Sequence, residues 1–497
     1  MESIYCDSSD SVLLATFRVK KKRVRAVLHG GKITWEAYSN RRSTIQHQVS
    51  LLDVIAATNN GTVFTLYYAL QASGNRWRVA HSTFVAVDAE TAEAWGLEVR
   101  RQLALHTHRP RNILMFVNPY GGRKNALSIY KRKVSPLLKL VGVEVDLVVS
   151  ERHRQIQEIL EKQNLDTYDG VACIGGDGTF AEVFNGVVTK ECSDQGIPMN
   201  SNQLPTPRIP LAVIPGGSTN TVAYCLHGTD DVTTCVVHMV LGLRTGLDLC
   251  SVIFGDGSAK LYASVISYGY LGDIAHDSER YRWMGPRRYE YTGFHKLLRN
   301  RGYKGEITVI PDCSDPQACS TKCYEECTRC SPSTANTKAD YNQAQVIKGK
   351  FFMVNGANIP CACTRSPNGM SPNCHLGDGC VDVIVVYHTH FFNNLRLLLK
   401  LSSKTGAVSE LPFVKVFRSR GFQFRAAEGP EQSSTGSTQP IHNPDECGVV
   451  KNSVWNCDGE VLPTADTTVL THRQLVKVFR RPLSAPDEPS GCFLCNC

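Results

Sequence analysis

Apolar and polar positions alternate in short runs over the first hundred residues. The runs are 12–18, 23–28, 32–37, 63–69, 76–80 and 82–87, broken by Gly, Asn and charged residues. A period of two predicts half-buried strands, so residues 1–107 read as a β-rich module. Over 89–103 the period lengthens, and Trp95 and Val99 fall on one face of a predicted helix. From 108 to 250 the pattern changes again. Continuous apolar runs at 112–117, 168–174 and 209–214 each end in a glycine turn and lead into helical spacing. Strands apolar on both faces, alternating with helices, predict an α/β domain with a parallel sheet. Residues 251–497 return to short strands, at 251–254, 260–267, 305–310, 345–355, 381–387, 413–416 and 421–426, and predict an antiparallel β domain. The cysteine-rich 311–344 and the Ser/Thr/Pro/Gly/Glu-rich 427–447 lack periodicity and read as loops. The segment 391–401 is helical in spacing, with Arg396 and Lys400 among large apolar residues. Packing on its own sheet is the preferred reading over a basic amphipathic docking helix.

The three glycine turns carry the candidate chemistry. They are Asn118-Pro119-Tyr120-Gly121-Gly122, Gly175-Gly176-Asp177-Gly178 and Pro215-Gly216-Gly217-Ser218-Thr219-Asn220. Glycine lets a backbone approach a phosphate closely, and a helix N-terminus behind the turn offers free N–H groups. Ligands of parallel sheets bind beyond the carboxyl ends of the strands, where all three turns fall. None is a Gly-x-x-x-x-Gly-Lys-[Ser/Thr] loop or a Gly-x-Gly-x-x-Gly dinucleotide turn. Asp177 would repel an anion, so it suits a proton acceptor or a metal holder.

Charge and cysteines narrow the partners. The 497 residues carry a net charge of +8, with a pI near 8.6. That balance suits an anionic membrane surface or nucleotide phosphates and is too weak to argue for nucleic acid. No apolar stretch approaches the ~18 residues needed to span a bilayer. With no secretory signal evident, a cytoplasmic protein that meets membranes peripherally is expected. Cys173, Cys225, Cys235 and Cys250 sit singly in apolar runs and read as buried free thiols. Cys319, Cys323, Cys327 and Cys330, with Cys361 and Cys363 downstream, are clustered. Two readings stay open for them: structural zinc held by Cys323, Cys327 and Cys330 with help from one of the others, or a reduced, redox-sensitive patch.

The ordered turns, joined by 269–274, 278–282 and the late Asp458-Gly459-Glu460, resemble the diacylglycerol and sphingoid lipid kinases over roughly 110–480. The stretches 361–372, 375–379 and 452–461, with the Cys-x-x-x-Cys-x-x-Cys run, look like the ceramide kinases in particular. The resemblance implies a kinase that uses Mg²⁺ and ATP to phosphorylate the primary hydroxyl of ceramide. It implies a multidomain chain: a module at 1–107, a nucleotide-binding α/β domain at 108–250 and a β-rich lipid-binding domain at 251–497. Asp177 matches the family's base. Glu182 would order a water, Mg²⁺ or nucleotide. Asn118 to Gly122, Gly217, Ser218 and Thr219 would donate to phosphates and ribose. Ser150, Glu151, Arg152, His153 and Arg154 match another nucleotide-contacting turn, and Arg282 and Arg288 match cations near the phosphates. Asp458, Gly459 and Glu460 match the segment beside the nucleotide, while Gly175, Gly176, Asp177 and Gly178 would also face substrate. Each has a plain alternative: Asn118 as a turn cap, Glu182 as a solvated helix residue, Arg282 paired with Glu279, Asp458-Gly459 as a hairpin turn.

Short strands closed by one helix with a central Trp resemble a pleckstrin-homology domain, and Lys20, Lys21, Lys22, Arg23 and Arg25 lie where such domains grip phosphoinositides. The family resemblance also raises calmodulin as a partner of 391–401, a Golgi or plasma-membrane location, and lipidation of the cysteines in 492–497. Sphingosine kinases carry a second acid two residues past the Asp of the Gly-x-x-x-Asp segment; here that residue is Ala275, which suits a neutral amide better than a free amine. Sphingosine or diacylglycerol as the acceptor, and a catalytically silent lipid-binding scaffold, are the rival readings.

Overall fold

A computed structural model describes residues 12–37, 46–122, 124–285, 287–311, 322–324, 327–331, 344–403, 407–427, 452–462 and 464–483. The chain forms two compact units. One takes Met1–Thr179, Arg208–Thr245 and Lys477–Cys497; the other takes Phe180–Pro207 and Gly246–Val476.

The first unit opens with seven antiparallel strands: β1 (Leu13–Val19), β2 (Lys22–His29), β3 (Lys32–Ala37), β4 (Gln46–Ser50), β5 (Val54–Asn60), β6 (Val63–Gln71) and β7 (Trp77–Val85). Their order in the sheet is β4-β3-β2-β1-β7-β6-β5. Helix α1 (Ala89–Ala104) follows, its first turn capped by Asp88, whose carboxylate accepts from the Thr91 N–H. Phe17, Trp35, Phe64, Phe84 and Trp95 are all buried in one core, with Trp95 edge-on to Phe17 at 5.2 Å. The expected helix and its buried face are therefore present. Two strands escape the alternation reading. Edge strand β4 is Gln-His-Gln-Val-Ser, and β5 runs Val-Ile-Ala-Ala-Thr-Asn-Asn, both poor in β-formers. The runs 76–80 and 82–87 are a single strand. The basic segment is also less of a loop than expected. Only Lys20 and Lys21 form the turn, with Lys20 at φ 49, while Lys22, Arg23 and Arg25 stand exposed on β2 around a buried Val24.

In the same unit β8 (Asn112–Val117), β9 (Glu144–Val149), β10 (Gly170–Gly175) and β11 (Leu211–Pro215) form a parallel sheet in the order β9-β8-β10-β11. All side chains of β10 and β11 are buried, which is why these strands read as continuous apolar runs. The connections are α2 (Ala126–Ile129), passing through a π turn at Tyr130–Val134 into α3 (Ser135–Val141), then α4 (Gln155–Lys162), α5 (Asp177–Gln195), α6 (Thr221–His227) and α7 (Val232–Leu241). Ile55, Ala56, Ala69 and Trp77 of the amino-terminal sheet share a core with Ile113, Met115 and α7. The Trp77 N–H donates to Thr234 Oγ1 at 2.9 Å, and Arg109 donates to the carbonyls of Leu51, Leu52 and Val54.

The second unit is mainly antiparallel. Its strands are β12 (Arg244–Ile253, entered from the first unit), β13 (Ala259–Tyr262), β14 (Val265–Gly269), β15 (Tyr303–Pro311), β16 (Gln345–Ala357), β17 (Val381–Tyr387), β18 (Val414–Ala426), β19 (Trp455–Cys457), β20 (Glu460–Val461) and β21 (Thr467–Phe479). Helices α8 (Tyr270–Ser278), α9 (Arg287–Arg299) and α10 (Phe391–Ser402) accompany them. Tyr268, Phe422, Phe424 and Trp455 centre its core. Segments 413–416 and 421–426 are one strand, bent where Ser419 Oγ donates to the Ile310 carbonyl. Helix α10 buries Asn394 and Leu397 while leaving Phe392 and Leu399 exposed. The loop expected at 427–447 falls almost wholly outside the described residues, as do most of 311–344 and the cysteines of 492–497.

Candidate functional site

The three glycine turns meet at the carboxyl ends of β8, β10 and β11. The Gly216 N–H donates to the Gly175 carbonyl at 2.8 Å. A Cβ built on Gly217 would lie 2.5 Å from Gly176 Cα, and one on Gly122 would lie 2.8 Å from Gly217 Cα. Gly122 also sits at φ +54, in the region where only glycine is at ease. Any side chain at these positions would wedge the turns apart. Asn118 locks the first turn: its Oδ1 accepts from Tyr120 and Gly121 N–H at 3.0 and 3.2 Å. Its Nδ2 donates to Thr179 Oγ1 at 3.0 Å, tying the first turn to the second. The third turn is held by Asn220, at φ 55, whose Oδ1 accepts from the Gly217 N–H at 2.8 Å. Ser218 and Thr219 stay exposed at its tip. The cap reading of Asn118 and the phosphate reading of its turn are thus compatible: the side chain shapes a loop whose Gly122 stays exposed.

Asp177 stands half-buried at the start of α5, with Gly178 exposed beside it. Its two carboxylate oxygens accept from Thr221 and Val222 N–H, at 3.0 and 2.8 Å. These donors are the first amides of α6, so the carboxylate lies where the helix dipole favours negative charge. Glu182 is buried five residues along α5. Thr179 was not among the expected site residues. Its signal was its place just past the Gly-Gly-Asp-Gly turn, where a Cβ on Gly175 would come within 2.4 Å of its Oγ1.

The next turn, after β9, is partly committed to structure. Ser150 is buried, its N–H donating to the Val117 carbonyl at 2.9 Å. Arg152 forms an exposed ion pair with Glu158, and Arg154 takes φ 64 at the start of α4. Glu151 and His153 are exposed.

Within the second unit, Arg288 pairs with Glu279, at 3.0 Å. Arg288 also lies over the Tyr289 ring. Arg282 falls on the 3-10 turn Glu279–Met284, and its side chain lies outside the described residues. Asp458 is fully occupied: its carboxylate accepts from Ala263, Ser264 and Val265 N–H and from Ser264 Oγ. Burial raises its pKa, with these bonds opposing. Gly459, at φ 94, completes the β19–β20 hairpin, and Glu460 pairs with Lys260. Asp273, unnoticed as a site residue, is buried among Tyr303 Oη, Ser453 Oγ and Lys296 Nζ. Asp277 is held by Lys296 at 2.5 Å and by His276 at 2.9 Å. Cys323, Cys327 and Cys330 are brought together, with His375 rather than Cys361 or Cys363 beside them. Cys319 lies outside the described residues. Among the described residues no helix is long and apolar enough to cross a membrane.

Residues 112–252 match the diacylglycerol kinase catalytic domain, and 265–497 match the ceramide kinase C-terminal domain. A Homo sapiens ceramide kinase is 34% identical, covering 86% of this chain and 84% of its own. Ceramide kinase 1 of Caenorhabditis elegans is 27% identical over 90% of this chain and 80% of its own. A Homo sapiens ceramide kinase-like protein is 26% identical over 84% and 77%. With catalytic and C-terminal family regions in sequence order and a 34% identical relative spanning most of its length, the chain belongs to the ceramide kinase family.

Proposed function

We propose that this protein transfers the γ-phosphoryl group of ATP to the primary hydroxyl of ceramide. The observation that carries it is the convergence of three glycine turns, with no room for a Cβ, around the Asp177 carboxylate. The hydroxyl oxygen attacks the γ-phosphorus and the bond to the β-phosphate oxygen breaks. The hydroxyl proton passes to Asp177, leaving a phosphomonoester and ADP. The close backbone approach at the turns would admit the phosphates, and the exposed hydroxyls of Ser218 and Thr219 would donate to them. Glu182 is the acid that would hold Mg²⁺, which supplies neutralisation of phosphate charge when bound. A ceramide acceptor is favoured by the polar groups of α8. A free amine needs an acid to receive its charge; Ala275 offers none, and Asp277 is already paired with Lys296. In one labelled-ATP assay, short-chain ceramide should out-compete sphingosine and diacylglycerol. Preference for the free amine would move the assignment to a sphingosine kinase. A scaffold without activity would show no thermal stabilisation by millimolar Mg-ATP.

A two-chain lipid is nearly absent from water, so the enzyme must meet it at a bilayer. Two features support peripheral membrane binding. Trp283, Phe294 and Leu298 are exposed large apolar residues on and before α9. The seven-stranded module with its closing helix presents Lys20, Lys21, Lys22, Arg23 and Arg25 on one hairpin, consistent with a pleckstrin-homology-like role toward phosphoinositides. Each basic residue at an anionic surface contributes about 1 kcal/mol. Replacing Lys20, Lys21 and Lys22 by Glu should therefore lower binding to anionic vesicles by at least about tenfold. Activity on detergent-dispersed ceramide should be spared. Equal loss in both assays would make the hairpin structural. Calmodulin remains a weaker reading of α10, resting on exposed Phe392 and Leu399 beside Arg396 and Lys400.

A further inference from the structure

The cysteine-rich segment contributes three thiols to one point. Cys323, Cys327, Cys330 and His375 each direct one ligand atom inward, and the four atoms lie within 4.8 Å of one another. Cys323 and Cys330 Sγ are 3.6 Å apart. His375 Nδ1 is 3.1 Å from Cys327 Sγ and 3.9 Å from Cys330 Sγ. Tetrahedral zinc, with bonds of about 2.3 Å to sulfur and about 2.0 Å to nitrogen, sets its ligand atoms roughly 3.5–3.8 Å apart. The observed separations bracket that spacing. The donors are soft thiolates and an imidazole, a set that selects zinc over magnesium or calcium.

The surroundings hold the ligands in place from both sides. Gln474 Nε2 donates to the carbonyl of Cys330 at 2.7 Å and to that of Gly377 at 2.8 Å. It thus joins the thiol segment to the His375 segment. The Arg473 guanidinium donates to the carbonyls of Ser331 and Arg329, at 2.7 and 3.2 Å. Arg329 reaches Asp378, three residues past His375, at 3.3 Å. Asp378 is itself paired with buried Arg418, which also holds Asp382 at 2.9 Å. Three thiolates and a neutral imidazole around Zn²⁺ leave one negative charge. Arg329 and Arg473 stand next to it, which offsets the cost of burying that charge.

We infer that Cys323, Cys327, Cys330 and His375 form a structural zinc site fastening the cysteine-rich segment to β21 and to the 375–379 turn. The site stands apart from the kinase reading, since none of its ligands belongs to the phosphate turns. It has four protein ligands and no open position, which marks a structural and not a catalytic centre. Binding energy at such a site couples to the folding of the segment that carries the thiols.

The test is elemental analysis of the full chain, produced with zinc, kept reduced and passed over a chelating resin. About one equivalent is expected, falling below about 0.2 in His375→Ala and in Cys327→Ala. His375→Cys should regain a full equivalent. After cobalt substitution, its sulfur-to-metal charge-transfer band should be stronger than wild type in the ratio of about four thiolates to three. If the alanine variants fail to fold, the wild-type and His375→Cys cobalt spectra still decide. Reduced wild type carrying far less than one equivalent would overturn the site, and a Cys323–Cys330 disulfide forming in its place would mark a redox pair. Full zinc retention by His375→Ala would remove the histidine from it.

Discussion

Asp177→Asn is expected to yield a folded protein that binds ATP and turns over about 10²–10⁴ times more slowly, the usual worth of a positioned general base. The amide is nearly isosteric but cannot take the acceptor hydroxyl's proton. The site also predicts a structural cost that a surface acid would not show. Both oxygens of Asp177 accept from the first amides of α6, and an asparagine keeps only one acceptor. The variant should therefore lose about 1 kcal/mol, the ordinary value of an N-terminal cap. Single-turnover phosphorylation, with ATP affinity and thermal midpoint measured beside it, separates the two roles. Turnover within about tenfold of wild type, with the stability loss intact, would leave Asp177 as a helix cap and send the search for the base elsewhere. Asp177→Ala should lose both cap bonds and be less stable than Asp177→Asn at equal loss of turnover.

What could be seen in the sequence followed from how local each cause is. Strands β8, β10 and β11 are buried on both faces, so composition alone exposed them. The glycine turns were legible because a close backbone approach admits one residue type. Strand β5 was not, since Ala and Asn carry no β signal and its place is set by Val54, Ile55 and Ala57 reaching the cores on either face. His375 was invisible as a ligand for a different reason. It lies 45 residues beyond Cys330, and only the folded path of β16 and the turn after it brings it back. Asp458 matches a family-like motif that implies a place beside the nucleotide. In the fold its carboxylate is spent on three amides and a hydroxyl of 263–265. Charge partners were the least legible of all: spacing alone does not say that Glu279 pairs with Arg288.

Gly217→Ala tests the cradle itself, and its effect should fall on ATP. The added methyl would sit 2.5 Å from Gly176 Cα and 3.0 Å from Asn220 Oδ1. The first neighbour is backbone, which cannot turn aside as a side-chain end can, so the third turn must move off the second. The Gly217 to Asn220 bond would weaken with it, and the exposed tip at Ser218 and Thr219 would shift from its place beside the second turn. Backbone donors are worth most when fixed in advance, so the ATP KM should rise by at least about tenfold, with kcat falling as well. Gly142→Ala is the control. That glycine closes α3 at φ +81 with nothing within 4 Å. Alanine there costs about 1 kcal/mol of backbone strain and touches no turn. If both variants lose stability but only Gly217→Ala loses ATP, close approach is the property the site requires. Equal ATP constants in the two would mean that the turns carry the chain past the site without forming it.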